Sequence, residues 1–101
     1  HNGTYYINTK EILYIEASGV YCIIHRTEGP QLVVSKPMGE FIKTLPSNFM
    51  RIHRSFCVNL QLVERKLTAD SNELELSNGS KIPISRQYRT EFDEILKKTL
   101  Q

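Results

Sequence analysis

Along this chain the spacing of apolar and polar positions changes period more than once, and each change marks an element. Residues 4–8 (TYYIN) and 11–16 (EILYIE) are short, β-branched and aromatic, with Asn8, Thr9 and Lys10 as the turn between them. Ser18 and Gly19 interrupt the pattern, and residues 20–27 (VYCIIHRT) form the strongest strand candidate. Glu28, Gly29 and Pro30 turn the chain, so that residues 31–35 (QLVVS) return as a hairpin partner. The period then becomes helical. Pro37 suits a first helical position, and Met38, Phe41, Ile42 and Leu45 share one face of a short helix over about 37–45, stopped by Pro46.

Strand spacing resumes at residues 49–60 (FMRIHRSFCVNL), which read as strand, turn, strand. Residues 62–67 and 73–76 follow as short strands, and Asn78-Gly79 is a hairpin signal before residues 81–84. The last stretch, about 86–99, is a helix. Ser85 is its expected cap, Tyr88, Phe92, Ile95, Leu96 and Thr99 lie on one face, and Glu91, Asp93 and Glu94 precede Lys97 and Lys98 as the helix dipole prefers. The expected class is therefore mainly β with short helices. A doubly wound α/β domain needs strands alternating with helices throughout and is excluded.

Composition narrows the class further. At 101 residues and 11.7 kDa, with 40% apolar and 24% charged positions, residues 1–101 read as a single soluble domain with one core. No apolar run approaches the roughly 20 residues of a membrane-spanning helix, and the start has no signal-peptide pattern. Cys22 and Cys57 read as reduced core residues of a cytoplasmic protein. The chain opens on His1-Asn2-Gly3 without an initiator Met, so it is expected to be excised from a longer protein.

The net charge of +2 names no partner, but its distribution does more. Two stretches are basic and free of acids: residues 51–54 (RIHR) and 81–89 (KIPISRQYR). Surface charges act over only about 8–10 Å in physiological salt, so such local patches are docking footprints or simply solvated faces.

Candidate chemistry separates these readings. Cys22 with His25 and His53 with Cys57 resemble zinc ligands by type only. On a strand, residues three apart face opposite ways, and residues four apart lie about 13 Å from one another when extended, too far for one ion. Neither a metal nor another cofactor is expected. No G-x-S-x-G, P-loop or H-E-x-x-H occurs, and Cys57 sits in an apolar run that suits a structural thiol, so an enzyme is not expected.

Nucleic-acid binding suits the residues better. Around Arg51, His53, Arg54, Ser55 and Asn59, polar groups alternate with the anchors Ile52, Phe56 and Val58, and an arginine fork pairs with guanine or phosphate. The competing reading has Arg51 in a salt bridge to an acid and His53 as a satisfied core histidine. Arg86 stands in the first turn of the last helix, where the dipole disfavours a cation. With Ser85 and Arg89 beside it and free backbone N–H groups, that helix start suits a phosphate or DNA contact. The turn at Ser18, Gly19 and Tyr21 is a weaker third candidate.

Three blocks of residues together resemble a known family. They are ILYIEASGVY at 12–21, FMRIHRSFCVN at 49–59, and LSNG at 76–79 followed by IPISR at 82–86 with Tyr88. In order and separation they resemble the LytTR domain, the DNA-binding effector domain of many bacterial two-component response regulators. The resemblance runs from about residue 4 to the last helix. It implies an elongated stack of small antiparallel β-sheets whose loops enter successive major grooves and bend the DNA. It also implies DNA contacts from Ser18, Gly19 and Tyr21, from His53 and Arg54, and from Ser85 and Arg86. Some members carry Asn where this chain has Arg54, and His at or near Tyr21, so base preference does not transfer.

The expected function is sequence-specific binding of double-stranded DNA as the effector domain of a transcription regulator. Arg54 and Arg86 are assigned to base edges, each worth about 1–3 kcal/mol of discrimination if bidentate. Ser18, Tyr21, His53, Ser85 and Arg89 are assigned to phosphates and register, and Ile52, Phe56 and Asn59 to packing and turn formation. The resemblance further implies direct-repeat promoter sites, a second protomer on the DNA, and an upstream receiver or sensor domain. Two rival classes stand beside this: a β-rich protein-interaction module whose basic patches meet an acidic partner, and a single-stranded RNA binder. The RNA reading needs an aromatic platform, which neighbouring Tyr5 and Tyr6 do not make because they point opposite ways.

Overall fold

The computed structural model describes residues 7–66 and 72–99. Eight strands make two antiparallel sheets. β1 (Ile12–Ser18), β2 (Tyr21–Arg26), β3 (Leu32–Val34), β4 (Phe49–His53) and β5 (Phe56–Asn59) form one, in the order β3-β2-β1-β5-β4. β6 (Val63–Lys66), β7 (Glu73–Leu76) and β8 (Lys81–Pro83) form the other, in sequence order. A short α1 (Met38–Phe41) lies between β3 and β4, and α2 (Arg86–Thr99) closes the chain. The molecule is elongated, 46 × 24 × 21 Å, as the resemblance implied.

The five-stranded sheet is the middle layer, and it separates two cores. On one face Ile12, Ile15, Cys22, Ile24 and Cys57 pack with Met38, and Phe41, Ile42 and Leu45 lie against them. On the other, Leu13, Met50, Ile52 and Val58 meet Leu74, Leu76, Ile82 and Ile84 of the second sheet and Phe92 of α2, with Ile95 and Leu96 alongside. This explains why β5 is nearly continuously buried where a half-exposed strand would alternate: Cys57 serves one core and Val58 the other. Bulges adjust both sides. The register of β1 on β2 slips between Ile12 and Tyr14, so the successive residues Leu13 and Tyr14 face the same core.

Asn59 ties neighbouring strands of the middle sheet together. It is a fully buried polar residue whose Nδ2 donates to the Ile12 carbonyl beside the β1 bulge (3.0 Å), while its Oδ1 accepts from Gln61 N (3.0 Å) and Asn48 Nδ2 (2.8 Å). Its carboxamide thus fixes the exit of β5, the entry of β1 and the approach to β4.

Several expectations shift. Residues 4–6 of the first expected strand lie outside the described residues, and Ile7 and Asn8 belong to no strand; Asn8 instead caps a 3-10 turn at Thr9–Glu11 through Lys10 N. The helix expected over about 37–45 is α-helical only at Met38–Phe41 and becomes a 3-10 turn at Ile42–Thr44, with Pro37 at the cap and outside the first turn. The Thr44 hydroxyl donates to the Phe41 carbonyl (2.7 Å), and Leu45 N turns to Ile42 O (3.2 Å), which ends the α pattern. The apolar face of that segment is nevertheless the one expected. At Asn78-Gly79 the hairpin has a three-residue loop, with Gly79 at φ 88° and Gly79 N bonded to Leu76 O (2.9 Å).

Both cysteines are free and buried. Burial raises Cys22, and pushes the Cys57 thiol from its ordinary 9.0 up to about 12 against a smaller lowering pull from Arg51. The folded chain thus keeps a proton that the unfolded chain releases above about pH 9. The corresponding stability is complete below about 9 and lost as pH rises toward about 12. Urea titrations at pH 8 and pH 10 should show that loss, and Cys57→Ala should make it smaller. A second prediction concerns Asn59: Asn59→Ala breaks three hydrogen bonds and strands a buried carbonyl, so urea unfolding should show a loss of about 2–4 kcal/mol. Asn48→Ala, which removes one of the three, should lose less.

Candidate nucleic-acid interface

Three bends carry the polar residues singled out in the sequence, and each is built differently. The β1–β2 turn is a two-residue loop, Gly19-Val20, closed by the pair Ser18 and Tyr21. Gly19 has φ 63° and Val20 does not share the positive sign, the pattern of a type II′ turn, whose twist matches that of the flanking strands. Ser18, Gly19 and Tyr21 are all exposed, Tyr21 by 47%, and Val20 is more exposed still.

The β4–β5 turn is also a two-residue loop, Arg54-Ser55, between the paired residues His53 and Phe56. Neither loop residue has a positive φ, so this bend lacks the backbone geometry that usually closes such hairpins. Side chains hold it instead. Arg51 Nη2 donates to the Arg54 carbonyl (2.7 Å), Arg51 Nε donates to the His53 carbonyl (3.4 Å), and Ser55 N donates to His53 Nδ1 (3.0 Å). Accepting at Nδ1 places the proton of a neutral His53 on Nε2. Among the described residues Arg51 makes none of the salt bridges considered above; its Nε and Nη2 are used on the turn. Arg54 is exposed, and no hydrogen bond or ion pair engages its guanidinium among the described residues.

The third bend leads into α2. Ser85 does not cap the helix as expected: its hydroxyl is buried and without a hydrogen-bond partner among the described residues. The backbone does the work, Ser85 N donating to Ile52 O (2.8 Å) and Ser85 O accepting from Tyr88 N (3.0 Å). Arg86 is exposed with no described partner, whereas Arg89 donates through Nη1 to Asn72 Oδ1.

These bends are physically joined. Ala17 N, at the end of β1, donates to Ser55 O (2.8 Å), and Ile52 O receives Ser85 N. The second link depends on a bulge: β4 pairs Arg51 with Cys57 and His53 with Phe56, so Ile52 is the extra residue and its carbonyl faces away from the ladder. The turn of the His53-Arg54 block thus sits between the other two. The residues of the zinc-like pairs diverge: Cys22 and Cys57 lie in the core, while His25 stacks on Tyr14 (4.2 Å between ring centroids) and meets Glu16 at 2.8 Å.

Sequence reasoning missed two things here. One is the role of Arg51, which was weighed as a contact or an ion pair and not as the brace of its own turn. The other is a row of rings, His53, Phe56, Tyr14 and His25, that crosses four strands at centroid spacings of 5.5, 5.9 and 4.2 Å. Alternation within β2 places His25 and Tyr21 on the same face, but the neighbours of His25 depend on strand order, which the chain does not display.

Comparison with known proteins decides what the joined bends belong to. Residues 2–97 match the LytTr DNA-binding domain. The chain belongs to the LytTr DNA-binding domain family. A solved structure of the LytTr DNA-binding domain of a methyl-accepting/DNA response regulator from Bacillus cereus superposes with a TM-score of 0.77 at 27% identity, over 89% of this chain and 84% of that one. The sensory transduction protein LytT of Bacillus subtilis is 32% identical over 93 residues, 89% of this chain and 38% of that protein. The transcriptional regulatory protein BtsR of Escherichia coli K12 is 27% identical over 100 residues, 95% of this chain and 40% of that protein. The chain thus spans about two fifths of the length of these relatives. As a LytTr domain its function is to bind DNA, on the mainly β fold that the B. cereus domain shares. Among the described residues no helix is long and apolar enough to cross a membrane.

The first LytTr bend is open to a direct test. A Cβ at Gly19 would meet nothing within 4 Å, so Gly19→Ala carries only the backbone strain of a non-glycine residue at positive φ, about 1–3 kcal/mol. Thermal unfolding should show that loss, and DNA affinity should fall as the turn between Ser18 and Tyr21 is distorted.

Proposed function

We propose that this LytTr domain reads a specific double-stranded DNA sequence with the three joined bends, as the effector part of a bacterial transcription regulator. One observation carries the reading: the backbone bonds Ala17 N to Ser55 O and Ser85 N to Ile52 O hold the three polar bends in one connected frame. Rigid spacing matters because a duplex presents its grooves and phosphates at fixed intervals, and a preorganised surface loses little freedom on binding.

Within that frame the roles follow from exposure and existing bonds. Among the described residues nothing engages the guanidiniums of Arg54 and Arg86, and they take base edges. Tyr21 and Ser18 flank a tight exposed turn and take phosphates. His53 offers its Nε2–H to a phosphate oxygen, since Nδ1 is already engaged by Ser55. At the start of α2 the free N–H groups favour an anion, and the Ser85 hydroxyl can rotate toward it without breaking an internal hydrogen bond. Arg89, which donates to Asn72 Oδ1, adds its positive charge beside the helix start for a phosphate.

The wider assignment follows from the family resemblance and from the greater length of the relatives. Residues 1–101 form one domain of a longer regulator in which an upstream receiver or sensor domain brings two protomers onto direct-repeat promoter sites. The protein works in the cytoplasm, without a cofactor, catalysis or membrane contact by this domain. Selection of duplexes from a random pool, followed by competition against scrambled DNA, tests the core of this. The wild-type domain should prefer its selected site by about 10³-fold or more. Arg54→Ala and Arg86→Ala should each remove about 1–3 kcal/mol of that preference. An unchanged preference in both variants would remove the site assignment.

A further inference from the structure

We infer that Arg51 is a positioning residue for DNA recognition: its guanidinium clamps the His53-Arg54-Ser55 turn and thereby aims Arg54, without itself touching DNA. The inference rests on the proposed role of Arg54. It begins from a geometric deficit. Two-residue hairpin loops ordinarily use a positive φ at one or both loop positions, because only that backbone matches the twist of the strands. The β1–β2 loop obeys, through Gly19. The Arg54-Ser55 loop does not, since neither residue has a positive φ, and a bulge at Ile52 accompanies it.

What closes such a turn has to come from elsewhere, and Arg51 supplies it. Its Nη2 and Nε donate to two successive carbonyls, Arg54 O at 2.7 Å and His53 O at 3.4 Å. A rigid planar fork is suited to this, because two donors held in one plane fix the relative orientation of the two peptide groups. The loop is braced from within as well, by Ser55 N on His53 Nδ1. Arg51 and His53, both on β4, therefore hold the peptide between Arg54 and Ser55 at both its polar groups, its carbonyl through Arg51 and its N–H through His53. The consequence is a division of labour between two arginines three residues apart. The charge of Arg51 is folded back over its own turn, and that of Arg54 projects into solvent from a backbone it does not have to stabilise. An alanine or glycine loop would be free to choose its conformation; this one is set before DNA arrives.

A direct phosphate contact by Arg51 is the competing role, and it predicts different behaviour. A phosphate-binding cation contributes close to one unit to the slope of log affinity against log salt. It is also largely replaceable by lysine, which carries the same charge. A clamp contributes nothing to the slope and is not replaced by lysine, which has no fork.

The test uses Arg51→Ala and Arg51→Lys beside Arg54→Ala and the double variant Arg51→Ala/Arg54→Ala, with the wild-type domain's selected duplex as probe. For the clamp, amide NMR of the free Arg51→Ala protein should show shifts concentrated at residues 52–56, with faster exchange at Ser55 N. Binding should weaken about tenfold in both Arg51 variants, the equivalent of about one hydrogen-bonded contact, with an unchanged salt slope. The double variant should be no weaker than Arg54→Ala alone by more than about twofold, since both changes remove one function. Wild-type binding by Arg51→Lys, or a slope lower by about one in Arg51→Ala, would overturn the clamp in favour of a charge contact. Unmoved shifts at residues 52–56 would overturn it as well. If the turn moves in Arg51→Ala but binding stays intact there while Arg54→Ala still weakens it, the positioning role fails alone. If Arg54→Ala also binds normally, the Arg54 reading fails with it. Should Arg51→Ala not fold, the Arg51→Lys arm carries the same decision.

Discussion

A single extra residue in β4 sets much of this domain's organisation. Because Ile52 is bulged out of the β4–β5 ladder, its side chain can remain fully buried while its carbonyl leaves the sheet and receives Ser85 N. That hydrogen bond fastens the start of α2 to the middle sheet. Without it, the second sheet and α2 would be attached mainly by non-directional apolar packing around Leu74, Ile82, Ile84 and Phe92, which fixes distance better than orientation. The β1 bulge is used in the same way: next to it the Ile12 carbonyl is taken by the Asn59 side chain. At Ile52 the interruption of the ladder yields a directional tie between sheet and helix, and at Ile12 one between neighbouring strands; buried polar groups without such partners would be costly.

The same economy governs the bends. Backbone polar groups that a regular sheet would consume internally are assigned to neighbours, so that Ser55 O meets Ala17 N and the Arg54 carbonyl meets Arg51 Nη2. The side chains left over are the ones with chemistry for a duplex. This is the arrangement expected of a rigid β body that reads DNA through short loops: mobility at the tips would have to be lost on binding, and what is already ordered loses less.

How far the chain displayed this in advance depends on the range of the interaction concerned. Strands, the hairpin at Asn78-Gly79 and the apolar faces of both helices are local patterns, and they were legible from period and turn chemistry alone. The three clusters of polar residues were legible too, two from acid-free charge and the first chiefly through its resemblance to other LytTr domains. Less legible was everything that depends on which strands become neighbours. The two-core arrangement arises because β1 and β5 are covered on both faces, and in the letters FCVN nothing distinguishes Cys57 pointing one way from Val58 pointing the other. Ser85 shows the limit most clearly. A serine before a helix is the standard capping signal, yet its hydroxyl makes no hydrogen bond among the described residues: Tyr88 N goes to the Ser85 carbonyl, while Ser85 N is held by Ile52 O, 33 positions earlier.

Arg51 illustrates why charge counting cannot separate contact from support. In the sequence it is one of two arginines in an acid-free stretch and contributes equally to a basic patch. In the folded domain its fork is committed to two carbonyls, and of these two arginines it is Arg54 whose guanidinium has no partner among the described residues. An arginine three positions before a glycine-free loop has a geometric use that an arginine elsewhere on the strand does not, because its stem is long enough to reach the carbonyls the turn leaves open. Reading such a residue correctly requires asking first how the bend closes its own hydrogen bonds. Only the donors that remain after that accounting are available to a partner.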